Sequence, residues 1–449
     1  MKRDTPHILL VNPWIHDFAA FDFWAKPLGL LYLAAILQNH GFDVTYLDCL
    51  DRFHPQAPPT DPFARHGRGP YLKTRIPKPK GLEDVPRNFS RYGIKPEWLR
   101  RDLIALAQPP DLVLVTSMMT YWYPGVRETI KMLKEVWPAV PVVLGGIYAS
   151  LCREHAEKHS AADHIHTGPA EEYILKLVGD YTGVNVHPAF DPEDLDTYPY
   201  PAFELASKIN YIPLLTSRGC PFACKYCASH FLSAKRMVRR PELVAEEIRY
   251  WHKQYGVKDF AFYDDALLVN APIHAGPMLE GIIKAGLKVA FHTPNALHIR
   301  EITRRTARLM YKAGFKTLRL GLETAAFETR KELDYKVTAT EFKRAVDRLK
   351  EAGFQKNQIG AYLLTGLPGQ DLHVLEDSIK TVKQAGITPI LAHYSPIPHT
   401  ALWQEAVASS RYNLEADPVF TNNAISPCQG KTFSWQRLAH LKNLTSFHP

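Results

Sequence analysis

Short aliphatic runs alternate with helical patterns through residues 1–185. The runs HILLVNP, DVTYLD, DLVLVTS and VVLGG predict strands, and PLGLLYLAAILQNHG and GVRETIKMLKEVW have the apolar spacing of helices that pack on a sheet. This alternation predicts an open, doubly wound, Rossmann-like parallel sheet, whose ligands bind beyond the carboxyl ends of the strands. The small or turn-forming residues at those ends are Thr116, Ser117, Gly145, Gly146 and Gly168.

A second series of strands follows a proline-rich linker at residues 186–210. Its six strands are IPLLTS, DFAFYD, VAFHT, TLRLGLE, QIGAYLLTG and PILAHYSPI. The repeat predicts a partial (β/α)6 TIM-like barrel over residues 211–402, with its site at the carboxyl ends of the strands. Residues 403–449 are predicted to form a helical appendage. Four helices between the strands end in Ala-Gly, where glycine suits the left-handed residue that stops a helix, at Gly286, Gly314, Gly353 and Gly386.

The formal net charge of +8 is concentrated in one place. Residues 64–101 contain eleven Lys or Arg and three Asp or Glu, so this stretch carries the whole excess. It belongs mostly to an insertion predicted at residues 50–97 of the first domain. One interpretation is a solvated surface loop; the other is a lid that closes over the ligand side and presents arginines to an anionic group. The candidate arginines are Arg65, Arg68, Arg87 and Arg91.

The six cysteines are too few and too clustered for the disulfide framework of a secreted protein. The N-terminal apolar stretch HILLVNP is too short for a signal sequence, and no run approaches the ~18 apolar residues of a membrane span. These features predict a soluble, cytoplasmic protein.

The segment LLTSRGCPFACKYCAS places Cys220, Cys224 and Cys227 directly after a predicted strand. Gly219 and Pro221 bend the chain, so the three thiolates are predicted to meet at one point. Three soft thiolate ligands suit a 4Fe–4S cluster with one iron left open for a substrate. The alternative is a zinc site completed by His230, although zinc ligands more often come as two CxxC pairs.

This cysteine loop closely resembles that of the radical SAM superfamily, and the resemblance covers about residues 210–400. It implies a cluster that donates an electron to S-adenosylmethionine (SAM) and releases methionine and a 5′-deoxyadenosyl radical. It also implies an electron donor of flavodoxin or ferredoxin type. By the same resemblance, Tyr226 would pack beside the adenine of SAM.

Other strand ends match motifs of the same superfamily. The resemblance implies that Asp264 and Asp265 hold the methionine ammonium group. Helix capping or a solvated turn is the alternative, and it applies to Asp265 more than to Asp264. Glu323 would contact the ribose or the substrate. In the GLPGQ motif, Gly366 and Pro368 would leave room for the nucleoside, unless they only form a tight turn.

The chain departs from the superfamily's usual PGT-like turn after the last strand. Here the turn contains His399, which is either a titratable group near the cavity or an exposed turn residue. Cys428 lies in the loop-like sequence SPCQG, so a role as a site thiol stays open.

The first domain resembles the cobalamin-binding module of one radical SAM subgroup through PLGLLYLAAILQNHGFDV, VLGGIYAS and TGPAEEYI. The DxHxxG motif that places a histidine on cobalt is absent, and His16 lacks the flanking aspartate and glycine. The resemblance therefore implies base-off cobalamin without a protein ligand to cobalt. The alternative is a Rossmann-like module that has lost the cofactor.

These features together predict a cobalamin-dependent radical SAM enzyme that methylates an unactivated carbon or phosphorus centre. Its substrate would be a small molecule or natural product, for which an anionic group is compatible with the basic insertion; no nucleic-acid partner is expected. One alternative is radical cyclisation, rearrangement or oxidation without methyl transfer. A second is a zinc-stabilised nucleic-acid-binding protein that uses the basic insertion.

Overall fold

The structure is a computed structural model that describes residues 5–328, 333–334, 337–429 and 434–446. The chain divides into two compact units. In the described ranges, no helix combines the length and the apolar character needed to cross a bilayer. The first unit comprises Met1–Asn210 and Ala416–Ala424, and the second comprises Tyr211–Glu415 and Ile425–Pro449.

The first unit is built around a five-stranded parallel sheet, in the order β3-β1-β6-β7-β8. The strands of this unit are β1 His7–Asn12, β2 Ile15–Asp17, β3 Asp43–Asp48, β4 Lys73–Arg75, β5 Ser90–Tyr92, β6 Leu112–Val115, β7 Val142–Leu144 and β8 His164–Ile165. Its helices are α1 Leu28–Asn39, α2 Pro96–Ala105, α3 Tyr123–Val136, α4 Ile147–Leu151, α5 Arg153–His159 and α6 Ile174–Thr182. Every residue of β1 is buried, as expected for a central strand covered on both faces. The Rossmann-like prediction is confirmed.

The basic insertion is folded onto the first unit. Its strands β4 and β5 pair antiparallel with β2 in a three-stranded sheet. Leu82 and Val85 are completely buried, and Tyr71 and Tyr92 pack with Ile15 in an apolar cluster. The interpretation as a solvated surface loop is therefore wrong for this part of the insertion, because its apolar side chains form a core of their own.

The second unit contains six parallel strands that pair in chain order, β9-β12-β13-β14-β15-β16. The strands of this unit are β9 Ile212–Leu214, β10 Ser217–Arg218, β11 Met237–Val238, β12 Asp259–Phe262, β13 Ala290–His292, β14 Phe315–Glu323, β15 Ile359–Thr365 and β16 Thr388–His393. Its helices are α7 Ser229–Leu232, α8 Pro241–Tyr255, α9 Ala275–Lys284, α10 Arg304–Ala313, α11 Ala339–Ala352, α12 Leu372–Gln384, α13 Trp403–Ser409 and α14 Trp435–Thr445. Since β9 and β16 are the two edges of this sheet, the predicted partial barrel is confirmed.

The four predicted helix stops are also confirmed. The glycines that follow α9, α10, α11 and α12 all have positive φ angles, between 63° and 112°. At Gly314 a Cβ would lie 2.5 Å from the carbonyl oxygen of Val289, so the turn from α10 into β14 needs glycine for space as well as for conformation.

The predicted C-terminal appendage is not one helical piece. Helices α13 and α14 belong to the second unit, but Ala416–Ala424 between them packs in the first unit. There the Asn422 amide donates to the buried carboxylate of Asp17 (2.8 Å), and the Tyr123 hydroxyl donates to Asp417 (2.8 Å). Specific hydrogen bonds therefore hold this segment on the first unit.

His155 makes the first unit sensitive to acid. Burial lowers the pKa of His155 to about 4, and its Nδ1 lies 2.8 Å from the Tyr148 hydroxyl, as suits a neutral imidazole that accepts a hydrogen bond. The unfolded chain binds this proton near pH 6.5, so folding stability should fall as the pH drops from 6.5 to 4.

Unfolding midpoints at pH 7 and pH 5 test this expectation. His155→Gln keeps a side-chain acceptor for Tyr148 but cannot titrate, so the variant should lose less stability between the two pH values than the wild type. An equal loss in both proteins would show that other groups cause the acid sensitivity.

Candidate active site

The cysteine loop is closed at its base by a short antiparallel hairpin of β10 and β11. Gly219 follows β10 with a φ of 79°, and a Cβ at this position would lie 3.0 Å from the Lys235 carbonyl oxygen. Both the conformation and the close approach of the backbone favour glycine here. The loop that carries the cysteines therefore leaves the sheet at a turn whose shape its sequence dictates.

The three thiols line one cavity of about 200 Å³. Cys220, Cys224 and Cys227 are each half-buried, and Tyr226 and Asp265 line the same cavity. Three soft donors around one accessible space are what a 4Fe–4S cluster with an open iron requires, so the donor set fits this cofactor.

His230, the fourth ligand of the zinc alternative, is not among the described residues that line this cavity. The Nε2 atom of His230 lies 3.0 Å from the carbonyl oxygen of Phe222, and the ring is exposed. Among the described residues, those that line the cavity include one other histidine, His298, whose ring stacks on Phe222 with centroids 4.5 Å apart. The arrangement favours three protein ligands, all of them thiolates.

Asp264 and Asp265 occupy different environments. Asp264 is buried, and its Oδ1 accepts hydrogen bonds from the Thr216 hydroxyl (2.6 Å), the Thr216 amide (3.1 Å) and the Ser217 hydroxyl (2.8 Å). Burial raises the pKa of Asp264, while these donors oppose the rise. Asp264 therefore braces the chain that leads into the cysteine loop.

Asp265 lies at the cavity itself, where its interactions with the Gly219 amide and the Ser229 hydroxyl partly offset the rise in its pKa. Burial raises the pKa of Asp265, and the charge of Asp264 raises it further. A contact with the methionine ammonium of SAM stays a prediction, for which Asp265 is the better placed of the two.

Tyr226 and Glu323 lie close enough to influence each other. Burial, and then the charge of Glu323, raise the pKa of Tyr226, so its phenol remains neutral. Glu323 is buried and has a φ of 62°, a conformation that costs a non-glycine residue about 1–3 kcal/mol and that clusters at functional sites. A Cβ at Gly321 would lie 3.2 Å from the Glu323 Oε1 atom, so this glycine leaves space for the carboxylate. The predicted ribose or substrate contact of Glu323 stays a prediction.

The GLPGQ turn after β15 is braced by a residue that the sequence analysis did not assign. The Gln370 Oε1 atom accepts from the Gly366 amide (2.7 Å), and its Nε2 atom donates to the Leu364 carbonyl (2.7 Å). In the described part of the chain, Gly366 and Pro368 are not among the residues that line the 200 Å³ cavity. Their role toward the nucleoside stays a prediction.

The sequence analysis also missed the residues that follow β13. Asn295, Leu297 and His298 line the cavity, and the Asn295 amide donates to the Tyr263 carbonyl (2.9 Å). The polar sequence HTPNALH at a predicted strand end was the signal that could have identified them, because strand ends of a barrel form its site.

The other cysteines do not belong to this site. Cys49 and Cys428 are buried, and Cys152 is half-buried in the first unit. Burial raises the pKa of Cys428 to about 11 and that of Cys152 to about 12, so both stay protonated at neutral pH. A role of Cys428 as a reactive site thiol is therefore not supported.

In the first unit, the ends of β6 and β7 are joined through their backbones. The Ser117 hydroxyl donates to the Gly145 carbonyl (2.6 Å). Gly146 has a φ of 93°, and a Cβ there would lie 2.3 Å from the Ser117 carbonyl oxygen. Thr116 is half-buried beside this contact. A side chain at position 146 therefore does not fit at this contact.

A third strand end completes this edge of the sheet. The Ser150 hydroxyl donates to the Gly146 carbonyl (2.9 Å) and accepts from the Gly168 amide (3.0 Å). Exposed apolar side chains surround the edge, namely Met119, Ile147 and Tyr173. Exposed apolar groups beside closely spaced backbone suit a large, flat ligand such as a corrin ring.

His16 is not available to bind cobalt. It is buried, and its Nε2 atom lies 2.6 Å from a carboxylate oxygen of Glu128. His16 is therefore held by Glu128, and base-off binding of cobalamin stays a prediction.

Three of the four arginines proposed for a lid already have partners within the first unit. Arg91 forms an ion pair with Glu128 (2.6 Å), Arg87 donates to a backbone carbonyl, and the guanidinium of Arg68 lies over a tryptophan ring. Arg65 is exposed. The lid stays a prediction, and charge reversal at Arg91 should also destabilise the fold because it breaks the ion pair.

Comparisons with known proteins agree with this arrangement. The model of the Radical SAM superfamily matches residues 214–382, and that of the B12 binding domain matches residues 96–178. An uncharacterized methyltransferase of Pyrococcus horikoshii is 25% identical over 366 residues, which span 72% of this chain and 78% of that protein. An anaerobic magnesium-protoporphyrin IX monomethyl ester cyclase of Rubrivivax gelatinosus is 29% identical over 336 residues, 66% of this chain and 58% of that protein.

Among solved structures, the fold is similar to that of TsrM from Kitasatospora setae, a radical SAM methyltransferase with cobalamin and a 4Fe–4S cluster bound. The TM-score is 0.66 at 16% identity, and the match covers 91% of this chain and 76% of that one. At this identity the similarity establishes a shared fold.

Proposed function

We propose that this chain, which matches the Radical SAM superfamily model over residues 214–382 and the B12 binding domain model over residues 96–178, methylates an unactivated carbon or phosphorus centre of a small molecule. One observation carries this proposal. A single chain combines a cavity lined by three thiols with a strand-end edge where Gly146 and Gly168 lie beside exposed apolar side chains. A radical SAM cluster supplies the electron that cleaves SAM, and cobalamin supplies a methyl group.

The residues of the second unit would act by binding and orienting. Cys220, Cys224 and Cys227 would hold the cluster. Asp265 would accept hydrogen bonds from the SAM ammonium, and neutral Tyr226 would pack against the adenine.

In the first unit, the backbone at Ser117, Gly146 and Gly168 would lie against the corrin ring. Gly146 keeps the two strand ends close together, and the absence of a side chain at Gly168 leaves open space for the approach of a flat ligand. An electron donor of flavodoxin or ferredoxin type would supply the reducing equivalents.

A second candidate function is a radical ring closure without methyl transfer. The 29% identity to the cyclase of Rubrivivax gelatinosus favours it. The two functions differ in how SAM is consumed, because methylation needs one SAM as methyl source and another as radical source.

SAM that carries a deuterated methyl group separates the two functions. With cobalamin, a reductant and a panel of small-molecule substrates, we expect S-adenosylhomocysteine and 5′-deoxyadenosine in near-equal amounts, together with a product that contains the labelled methyl group. Mass spectrometry measures all three. Deoxyadenosine without S-adenosylhomocysteine and without label transfer would contradict methylation and favour ring closure. The Cys224→Ala variant is the control and should form no deoxyadenosine.

A further inference from the structure

The segment that carries the cysteines is strongly basic. Residues 217–240, here called the cluster segment, contain six Lys or Arg and no Asp or Glu. This local charge is hidden in the total, because the chain outside the basic insertion is neutral as a whole. A one-sided charge of this kind attracts an acidic partner over distances near the Debye length.

Part of this charge reaches the surface. Lys225, Lys235 and Arg240 are exposed, whereas Arg239 is buried in an ion pair with Glu247. Three exposed cations therefore lie on the same 24 residues as the three thiols.

Exposed apolar side chains lie between these cations in the sequence. Phe231 is 49% exposed and Val238 is 46% exposed. The Phe231 ring stacks on His399, with centroids 4.2 Å apart and planes within 1°. Nearby, the Leu402 amide donates to the Lys225 carbonyl (3.0 Å), which ties the chain before α13 to the cysteine loop. Two contacts from the loop before α13 therefore hold this part of the cluster segment in place.

We propose that this face of the cluster segment docks an acidic protein that donates one electron. The inference rests on the proposed function, in which each reductive cleavage of SAM consumes one electron from outside the chain. The reduced donor loses one electron and the cluster gains it, and no atom or proton moves between the two proteins. Redox partners form small interfaces whose rates depend on charge, and a few cations around an apolar patch suit this class of contact.

The location follows from the covalent structure. The thiols and the exposed cations belong to the same short segment, and the Lys235 backbone packs against Gly219 at the start of the cysteine loop, so a donor bound here lies close to the cluster. The basic insertion carries a larger charge, but it belongs to the first unit and contains no thiol. It therefore provides a matched control.

The experiment compares two double variants. The cluster-segment variant carries Lys235→Glu and Arg240→Glu, and the β4 variant carries Lys73→Glu and Arg75→Glu. The second pair lies on the exposed strand β4 and changes the net charge equally. Each anaerobically purified protein is mixed with a reduced bacterial flavodoxin or with reduced methyl viologen, and bleaching of the cluster's visible absorbance gives the rate constant of reduction.

With flavodoxin at low salt, the rate constant of reduction of the cluster-segment variant should be at least ~10-fold lower than that of the wild type. Raising the salt concentration should bring the two rate constants closer together. Its rate with methyl viologen, a small cation, should not fall. The β4 variant should match the wild type with both reductants, within about twofold.

An unchanged flavodoxin rate in the cluster-segment variant, or an equal loss with methyl viologen, would overturn the inference. Binding of an RNA oligomer that these substitutions abolish, while flavodoxin reduction persists, would assign the face to nucleic acid and also overturn it. Iron content is measured first in every protein. A wild type without iron contradicts the proposed function itself, whereas variants with wild-type iron test only the docking face.

Discussion

Alanine in place of any one of Cys220, Cys224 and Cys227 is expected to abolish cluster binding and SAM cleavage. All three thiols line the same cavity. Among the described residues around that cavity, no further thiol can replace a missing one. Two thiolates leave two irons of the cube without protein ligands, so the cluster should be lost during purification. Iron should fall from about four per chain to near zero, and 5′-deoxyadenosine should fall below detection.

Cys152→Ala is the matched control. Its thiol is half-buried, has a raised pKa and belongs to the first unit, so the variant should retain iron and activity. Iron analysis, the visible spectrum and mass spectrometry of SAM products measure the effect. Full iron content in the triple alanine variant would contradict the assignment of the three ligands.

Gly146→Ala is expected to destabilise the first unit by about 3 kcal/mol, because steric overlap and backbone strain add. The new Cβ would lie 2.3 Å from the Ser117 carbonyl oxygen and 2.7 Å from its amide nitrogen. The backbone at Gly146, with φ 93° and ψ −165°, is also in a region that only glycine adopts readily. The strand ends would separate, and cobalamin should no longer remain bound through gel filtration.

Gly168→Ala is the comparison variant, because it tests the cost of the left-handed backbone conformation without any steric overlap. Its φ is 81°, but no atom lies within 4 Å of the added Cβ. This variant should lose about 1 kcal/mol from the left-handed backbone alone. Urea unfolding and the absorbance of bound cobalamin measure both variants. If the Gly146 variant retains cobalamin as well as the wild type does, the ligand does not lie on this edge.

The order of strands and helices and the three cysteines could be predicted from sequence because their signals are local. The period of apolar residues reports which face of an element is buried, and an Ala-Gly pair marks a helix end through the conformational freedom of glycine. The ligand set lies within eight residues, so one glycine turn is enough to bring the thiols to one cavity.

Neighbouring residues at a strand end were harder to separate. Both Asp264 and Asp265 follow β12, and the sequence favoured Asp264 for the site, whereas the structure places Asp265 at the cavity. The direction of each carboxylate depends on where the chain leaves the sheet. In the fold, donors at Thr216 and Ser217 hold one carboxylate in the interior, and the other is left at the cavity. Hydrogen-bond partners about 47 residues away decide this assignment.

Tertiary structure alone decided where the basic insertion and the segment Ala416–Ala424 lie. Composition made the insertion resemble a loop, yet its scattered apolar residues meet and exclude water only after β4 and β5 pair with β2. Asn422 and Asp17 are 405 residues apart, and their hydrogen bond depends on the path of the whole chain. A local sequence pattern predicts secondary structure and which face of an element is buried. The hydrogen-bond partner of a buried carboxylate, in contrast, is whichever donor the tertiary fold brings next to it.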